Sequence, residues 1–160
     1  MIKFSDAMRN ALRELRTAYA LVDTAGRILE HDDRFPLWVA GEEDSLVGRA
    51  LTDVFPEIVG QEEALESVRR GESLSWRLEY LHRTMPDGRD RYLALTVVPG
   101  RPEAGIGLMV LATDITEQGT YLQQLTQSRN EILLLRERLQ ELQSQLESLL
   151  RRHLPPSRRR

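Results

Sequence analysis

The spacing of apolar positions changes along this chain, and each change marks a different element. Phe4, Met8, Ala11, Leu12 and Leu15 recur at helical intervals, which predicts a short amphipathic helix over 4–16 with Ser5 and Asp6 as candidate caps. The runs "YALV" (19–22) and "RILEH" (27–31) read as short strands joined by the turn "DTAG". From Asp32 to about Gly71 the pattern predicts short helices and loops. "RFPLWVAG" offers one apolar turn, and "SLVGRALTDVFPEIVG" is broken by Gly48, Pro56 and Gly60. "QEEALESVRRG" is a compact helix with acids first, bases last and Gly71 as its stop.

Three longer strands follow. In the first, Leu74, Trp76, Leu78 and Tyr80 alternate with Ser75, Arg77 and Glu79, ahead of a hairpin turn at "MPDGRD". In the second, Leu93, Leu95 and Val97 oppose Tyr92, Ala94, Thr96 and Val98. The third follows the loop "RPEAG" and sets Ile106, Leu108, Val110 and Ala112 against Met109, Leu111 and Thr113. The last two strands are apolar on both faces, so a sheet built from them needs cover on its second side. The helix at 4–16 is one candidate and a partner chain the other. The fold class is α+β: a single antiparallel sheet flanked by short helices.

Beyond the sheet the apolar period becomes a heptad. Leu125, Ile132, Leu139 and Leu146 take the a positions, and Tyr121, Ser128, Leu135, Leu142 and Leu149 the d positions. So narrow a stripe suits a second helix better than a fold-back onto the chain's own domain, which favours a wider apolar face. Glu131 at g would meet Arg136 at e of a parallel partner, an attractive pair. The expectation is a homodimer through a parallel coiled coil, with the N-terminal helix contributing.

Composition narrows the chemistry. The net charge of -3 gives no reason to expect nucleic acid, and the absence of cysteine removes disulfides, thiolate metal sites and thiol catalysis. No apolar run approaches the ~20 residues of a membrane span, and charges interrupt the first residues, so a cytoplasmic protein without a membrane partner is expected. Three dispersed His residues lack metal-ligand spacing, and neither a phosphate loop nor a nucleophile elbow occurs, so no metal site and no enzymatic activity are expected.

Four stretches in order resemble the PAS domains, small sensor modules of signalling proteins: "ALVDTAGRIL", "SLVGRALTDVFP", "GESLSWRLEYLHRTMPDGR" and the closing "DITE" at Asp114–Glu117. The resemblance implies the division 1–17 cap helix, 18–117 PAS domain, 118–153 coiled coil and 154–160 basic tail. Where the family often has Asn after the second strand this chain has Asp32, which serves equally as a helix cap. The family's covalent flavin photochemistry requires cysteine and is excluded. Its haem-binding members use a His on the helix before the central strands, which here has none. That leaves His31 and His82 only as distant analogues, and surface roles are preferred for them. A non-covalent flavin against Trp38 or Trp76 is weighed against ordinary core packing, which is favoured. A cavity for a small metabolite stays open, lined by Phe35, Trp38, Val54, Phe55, Trp76, Leu78, Leu95 and Leu108. No cofactor is assigned.

The same resemblance makes Asp114, Thr116, Glu117 and Gly119 the signal junction. Asp114 is expected to cap the long helix as half of a capping box with Glu117, and Gly119 to be its soft point, since Gly weakens a helix by ~1 kcal/mol relative to Ala. A coil followed by Leu-Pro-Pro at 154–156 resembles the lead-in to nucleotide cyclases. The chain is therefore expected to be a fragment or to act on an output domain through partners. A constitutive dimerisation scaffold without ligand or switching is the second reading.

Overall fold

Thr17 opens the first strand two residues earlier than the apolar spacing predicts, because its hydroxyl is satisfied inside the sheet by Leu15 O (3.1 Å) and Thr113 Oγ1 (3.0 Å). The structure, a computed structural model, describes residues 5–154. Helix α1 spans Asp6–Glu14, and Ser5 caps it by accepting from Met8 N at 3.2 Å. Phe4, predicted to begin that apolar stripe, lies outside the described residues, as do residues 155–160 of the predicted tail.

Strands β1 (Thr17–Val22) and β2 (Ile28–His31) form the opening hairpin. Short helices α2 (Phe35–Ala40), α3 (Leu51–Val54) and α4 (Glu62–Arg69) follow, with a 3-10 turn at Pro56–Ile58 between the last two. Strands β3 (Trp76–Thr84), β4 (Asp90–Pro99) and β5 (Leu108–Asp114) complete the sheet before helix α5 (Thr116–His153). The five strands lie in the order β2-β1-β5-β4-β3, antiparallel throughout. The chain divides after Gly119 into two compact units, Met1–Gly119 and Thr120–Arg160.

The main core lies between one sheet face and the short helices, with Phe35, Phe55, Ile58, Leu46, Leu93 and Leu95 fully buried. On the opposite face Tyr19, Leu21 and Ile106 form a second cluster with Leu12, Met109 and Leu111. Leu12 belongs to α1, so the N-terminal helix supplies part of the cover that the two-faced strands require. Met8 and Leu15 of the same stripe remain exposed. Burial, followed by the neighbouring Glu30 carboxylate, raises the Tyr19 hydroxyl pKa above its ordinary value.

Two strand assignments are corrected. Ile106 precedes β5 and packs with Tyr19 and Leu21, on the face opposite to Leu108. In β3 the predicted alternation breaks. Leu74 is 91% exposed and lies before the strand, while Tyr80 points out and Leu81 is buried. Leu78 pairs with Leu95 and Leu81 with Leu93, so Glu79 and Tyr80 together oppose Ala94 in a bulge. Tyr80 takes φ 59 there, a left-handed conformation that an alternation pattern has no means of signalling.

Candidate functional site

The eight residues expected to line a pocket come from five elements and the turn after α3, and the fold brings them together. Phe35, Trp38, Val54, Phe55, Leu95 and Leu108 are buried in one cluster, and Trp76 and Leu78 pack half-buried against it. Phe35 and Phe55 meet edge to face with centroids 6.1 Å apart, the favoured geometry for an aromatic pair. Asp32 fixes the start of α2 as the sequence predicts: its Oδ1 accepts from Arg34 N (3.1 Å) and Phe35 N (2.9 Å). Gly41 ends α2 at φ 64, the left-handed conformation that closes a helix with least strain in glycine.

Arg83, unremarked by the sequence pattern, holds the floor of this cluster in place. Its Nε donates to Val39 O at 2.9 Å, its Nη2 to Val54 O at 3.4 Å, and its Nη1 to Glu57 at 2.6 Å. One guanidinium therefore ties α2, α3 and the 3-10 turn to β3. Burial acts to raise the Glu57 pKa, but the Arg83 hydrogen bonds and a backbone amide outweigh it and hold the carboxyl below its ordinary value. A group depressed in this way stabilises the fold above the unfolded pKa and loses that contribution as pH falls through the folded one. Chemical denaturation of the native chain and of Glu57→Gln should therefore show a stability gap at pH 7 that narrows towards about pH 3. A gap independent of pH would mean that the Glu57 charge contributes nothing.

Both His side chains considered as ligands are engaged. His31 Nε2 lies 3.1 Å from Leu46 N and 3.2 Å from Ser45 Oγ, and its Nδ1 lies 2.7 Å from Asp32 O. With the Leu46 amide donating to Nε2, the Asp32 carbonyl is the acceptor facing Nδ1. His82 Nε2 lies 2.8 Å from Asp90 Oδ1, and the ring tilts against Tyr92 with centroids 5.1 Å apart. Each imidazole thus has a structural partner.

The junction residues sit where β5 becomes α5. Asp114 Oδ1 accepts from Thr116 N at 2.9 Å, so the predicted cap forms. Its second oxygen receives Arg91 Nη1 at 2.7 Å, both side chains being about one-fifth exposed. The reciprocal half of the capping box does not form: Asp114 N donates instead to Arg16 O at 2.8 Å. Thr116 Oγ1 turns back to accept from Tyr92 N (3.2 Å), and Ile115 N donates to Tyr92 O (2.8 Å). Gly119 is buried, and a Cβ there would lie 2.5 Å from Tyr92 Cγ. The structure thus gives Gly119 a reason other than softness: α5 starts so close to Tyr92 that no side chain fits between them.

A charge-balanced cluster adjoins this junction. The guanidinium carbons of Arg34 and Arg91 lie 5.0 and 4.9 Å from the centroid of the Trp38 ring. Arg34 pairs with Asp32 at 3.0 Å and donates to Thr17 O at 2.6 Å. The Nε atoms of both arginines are buried without a hydrogen-bond partner among the described residues. Desolvation strengthens such cation–π contacts from about 0.5–1 kcal/mol towards about 2 kcal/mol. Arg34 and Trp38 are four residues apart on the first turn of α2, but no sequence signal joins them to Arg91, which reaches the ring only through the fold.

The predicted coil residues all fall on α5 as a single uninterrupted helix. Tyr121, Leu125, Ile132, Leu135, Leu139, Leu142, Leu146 and Leu149 are 48–62% exposed, and Ser128 is also exposed. No helix among the described residues is long and apolar enough to cross a membrane.

The sequence profile of the PAS fold family matches residues 12–119. A search of the curated proteins finds no match. Among solved structures, the sensory box histidine kinase/response regulator of Burkholderia thailandensis E264 is similar, with 17% identity and a TM-score of 0.54 over 79% of this chain and 98% of that one. The Vibrio cholerae VqmA dimer is also similar, at 14% identity and a TM-score of 0.51, over 72% of this chain and 53% of its own. Likenesses this remote in sequence show the fold alone.

Proposed function

The chain belongs to the PAS family of sensory domains, and from that premise we propose that it is a dimeric sensor or regulatory module signalling through a parallel coiled coil. The single observation that carries the reading is the apolar seam of α5. Eight large apolar residues follow the a and d positions from Tyr121 to Leu149 and are half-exposed in one copy of the chain. A second copy laid alongside in register buries the seam and sets Glu131 opposite Arg136. Two PAS domains then start their helices side by side, in the division 1–17, 18–117, 118–153 and 154–160.

The domain's state would reach the coil at Asp114, Thr116, Glu117 and Gly119, and the core cluster around Phe35 and Phe55 is the place for a small ligand. The output domain lies in cis or in trans. Leu-Pro-Pro after the coil is the feature that favours a nucleotide cyclase, whereas the Burkholderia relative carries a histidine kinase name. The reading assigns no catalytic step to this chain. Light scattering on the full chain and on a chain ended at Gly119 tests it. The full chain should have twice the protomer mass and the shortened chain the mass of one. A shortened chain that stays dimeric would move the main interface to the α1 side of the sheet.

A further inference from the structure

Trp38 is buried at the end of the sheet where β1 begins and β5 ends, and three parts of the chain converge on it. Arg34 links it to Asp32 and to the Thr17 carbonyl. Arg91 links it to Asp114, whose own amide is held by Arg16 O and whose Oδ1 holds the first-turn amide of α5. Helix α2 also contributes Phe35 and Val39 to the core cluster, so the element that carries Trp38 is the one a change in that core would displace.

We propose that Trp38 is a positioning residue for the signal junction: through Arg34 and Arg91 it couples the placement of α2 to the start of α5. The inference rests on the reading above that the start of α5 carries the signal, and adds the residue through which the core reaches it. The physical requirement is a broad aromatic face. Two partly buried guanidiniums lie within about 5 Å of one ring centroid, and each has an Nε without an acceptor among the described residues. The ring quadrupole supplies the attraction that water would otherwise provide. An alkyl side chain in its place leaves two like charges facing a surface that attracts neither. Arg91 would then shift, taking the Asp114 carboxylate with it. The route enters the sheet only at Arg91 of β4 and Asp114 of β5, the strand residues beside the start of α5.

Amide hydrogen exchange on the full chain tests this, with Ile115, Thr116 and Gly119 as reporters, since their amides make the junction bonds. Trp38→Leu should speed exchange across 115–119 about tenfold, while Trp38→Phe, which keeps an aromatic face, should restore most of the protection. Acceleration confined to 34–41 with 115–119 unchanged would overturn the proposal. So would equal acceleration by Leu and Phe. Should Trp38→Leu not fold, Arg34→Met carries the test: faster exchange at 115–119 supports the coupling, and a change restricted to 17 and 32–38 refutes it. Light scattering on the same samples separates this from the dimer reading, since a monomeric full chain would refute the dimer and leave the exchange comparison intact.

Discussion

Replacing Gly119 with alanine is expected to lower the stability of the domain, although helix propensity alone predicts a gain. Alanine favours a helical position over glycine by ~1 kcal/mol, so an exposed first-turn glycine would be improved by the change. Here the new Cβ would lie 2.5 Å from Tyr92 Cγ and 2.8 Å from Tyr92 Cβ and Cδ2, distances that require something to move. The ring has little freedom to yield. Its backbone is fixed on both sides, with N donating to Thr116 Oγ1 and O accepting from Ile115 N, and its face lies against His82. Overpacking of this kind typically costs about 1–3 kcal/mol. After the propensity gain of ~1 kcal/mol, the net loss is up to about 2 kcal/mol, and each kcal/mol corresponds to about 4–8 °C of melting temperature in a domain of this size.

Calorimetry on Gly119→Ala should therefore show a lower melting temperature. The same substitution made together with Tyr92→Val should be neutral or stabilising, because the contact it violates is gone. A rise in melting temperature for Gly119→Ala alone would show that the junction is soft. Forcing α5 away from Tyr92 would strain the Asp114 cap, because Thr116 is held both by Asp114 and by Tyr92.

Much of the fold was legible because its periods are simple. The two-faced apolar pattern of β4 and β5 required cover on both sides, and the structure provides it with the short helices on one face and Leu12 of α1 on the other. The capping roles of Ser5 and Asp32 and the stop at Gly71 were local signals and were read locally. The bulge at Glu79–Tyr80 was not legible. One extra residue reverses the facing of everything after it, and the pattern records only that apolar residues recur. Ile106 was assigned to the wrong face because the strand it was counted in begins two residues later.

The site was legible only in part, for the same reason. Its apolar lining follows from strand alternation and short-helix patterning. The polar groups that organise it do not. Arg83 reaches Val39, Val54 and Glu57 across 44, 29 and 26 residues of sequence. Arg91 meets the local pair of Arg34 and Trp38 only through the fold. Gly119 was singled out for backbone freedom, whereas its neighbour in space, Tyr92, is the reason a glycine stands there.

The parallel coil is the central claim, and the absence of cysteine from the chain makes it directly testable. Leu146 lies at an a position near the far end of α5. In a parallel dimer the two copies of an a residue face one another across the seam, close enough for a disulfide once both are cysteine. In an antiparallel pair centred on the heptad stretch, Leu146 of one chain lies near the Leu125 end of the other. Its counterpart is then about 30 Å away, at 1.5 Å of rise per residue. Mild oxidation of Leu146→Cys at micromolar concentration, followed by non-reducing electrophoresis, should convert nearly all of the chain to covalent dimer. Leu125→Cys mixed with Leu146→Cys should give the two homodimers and little of the mixed species. A predominance of the mixed species, or failure of Leu146→Cys to cross-link at all, would contradict the parallel coil and the signalling route built on it.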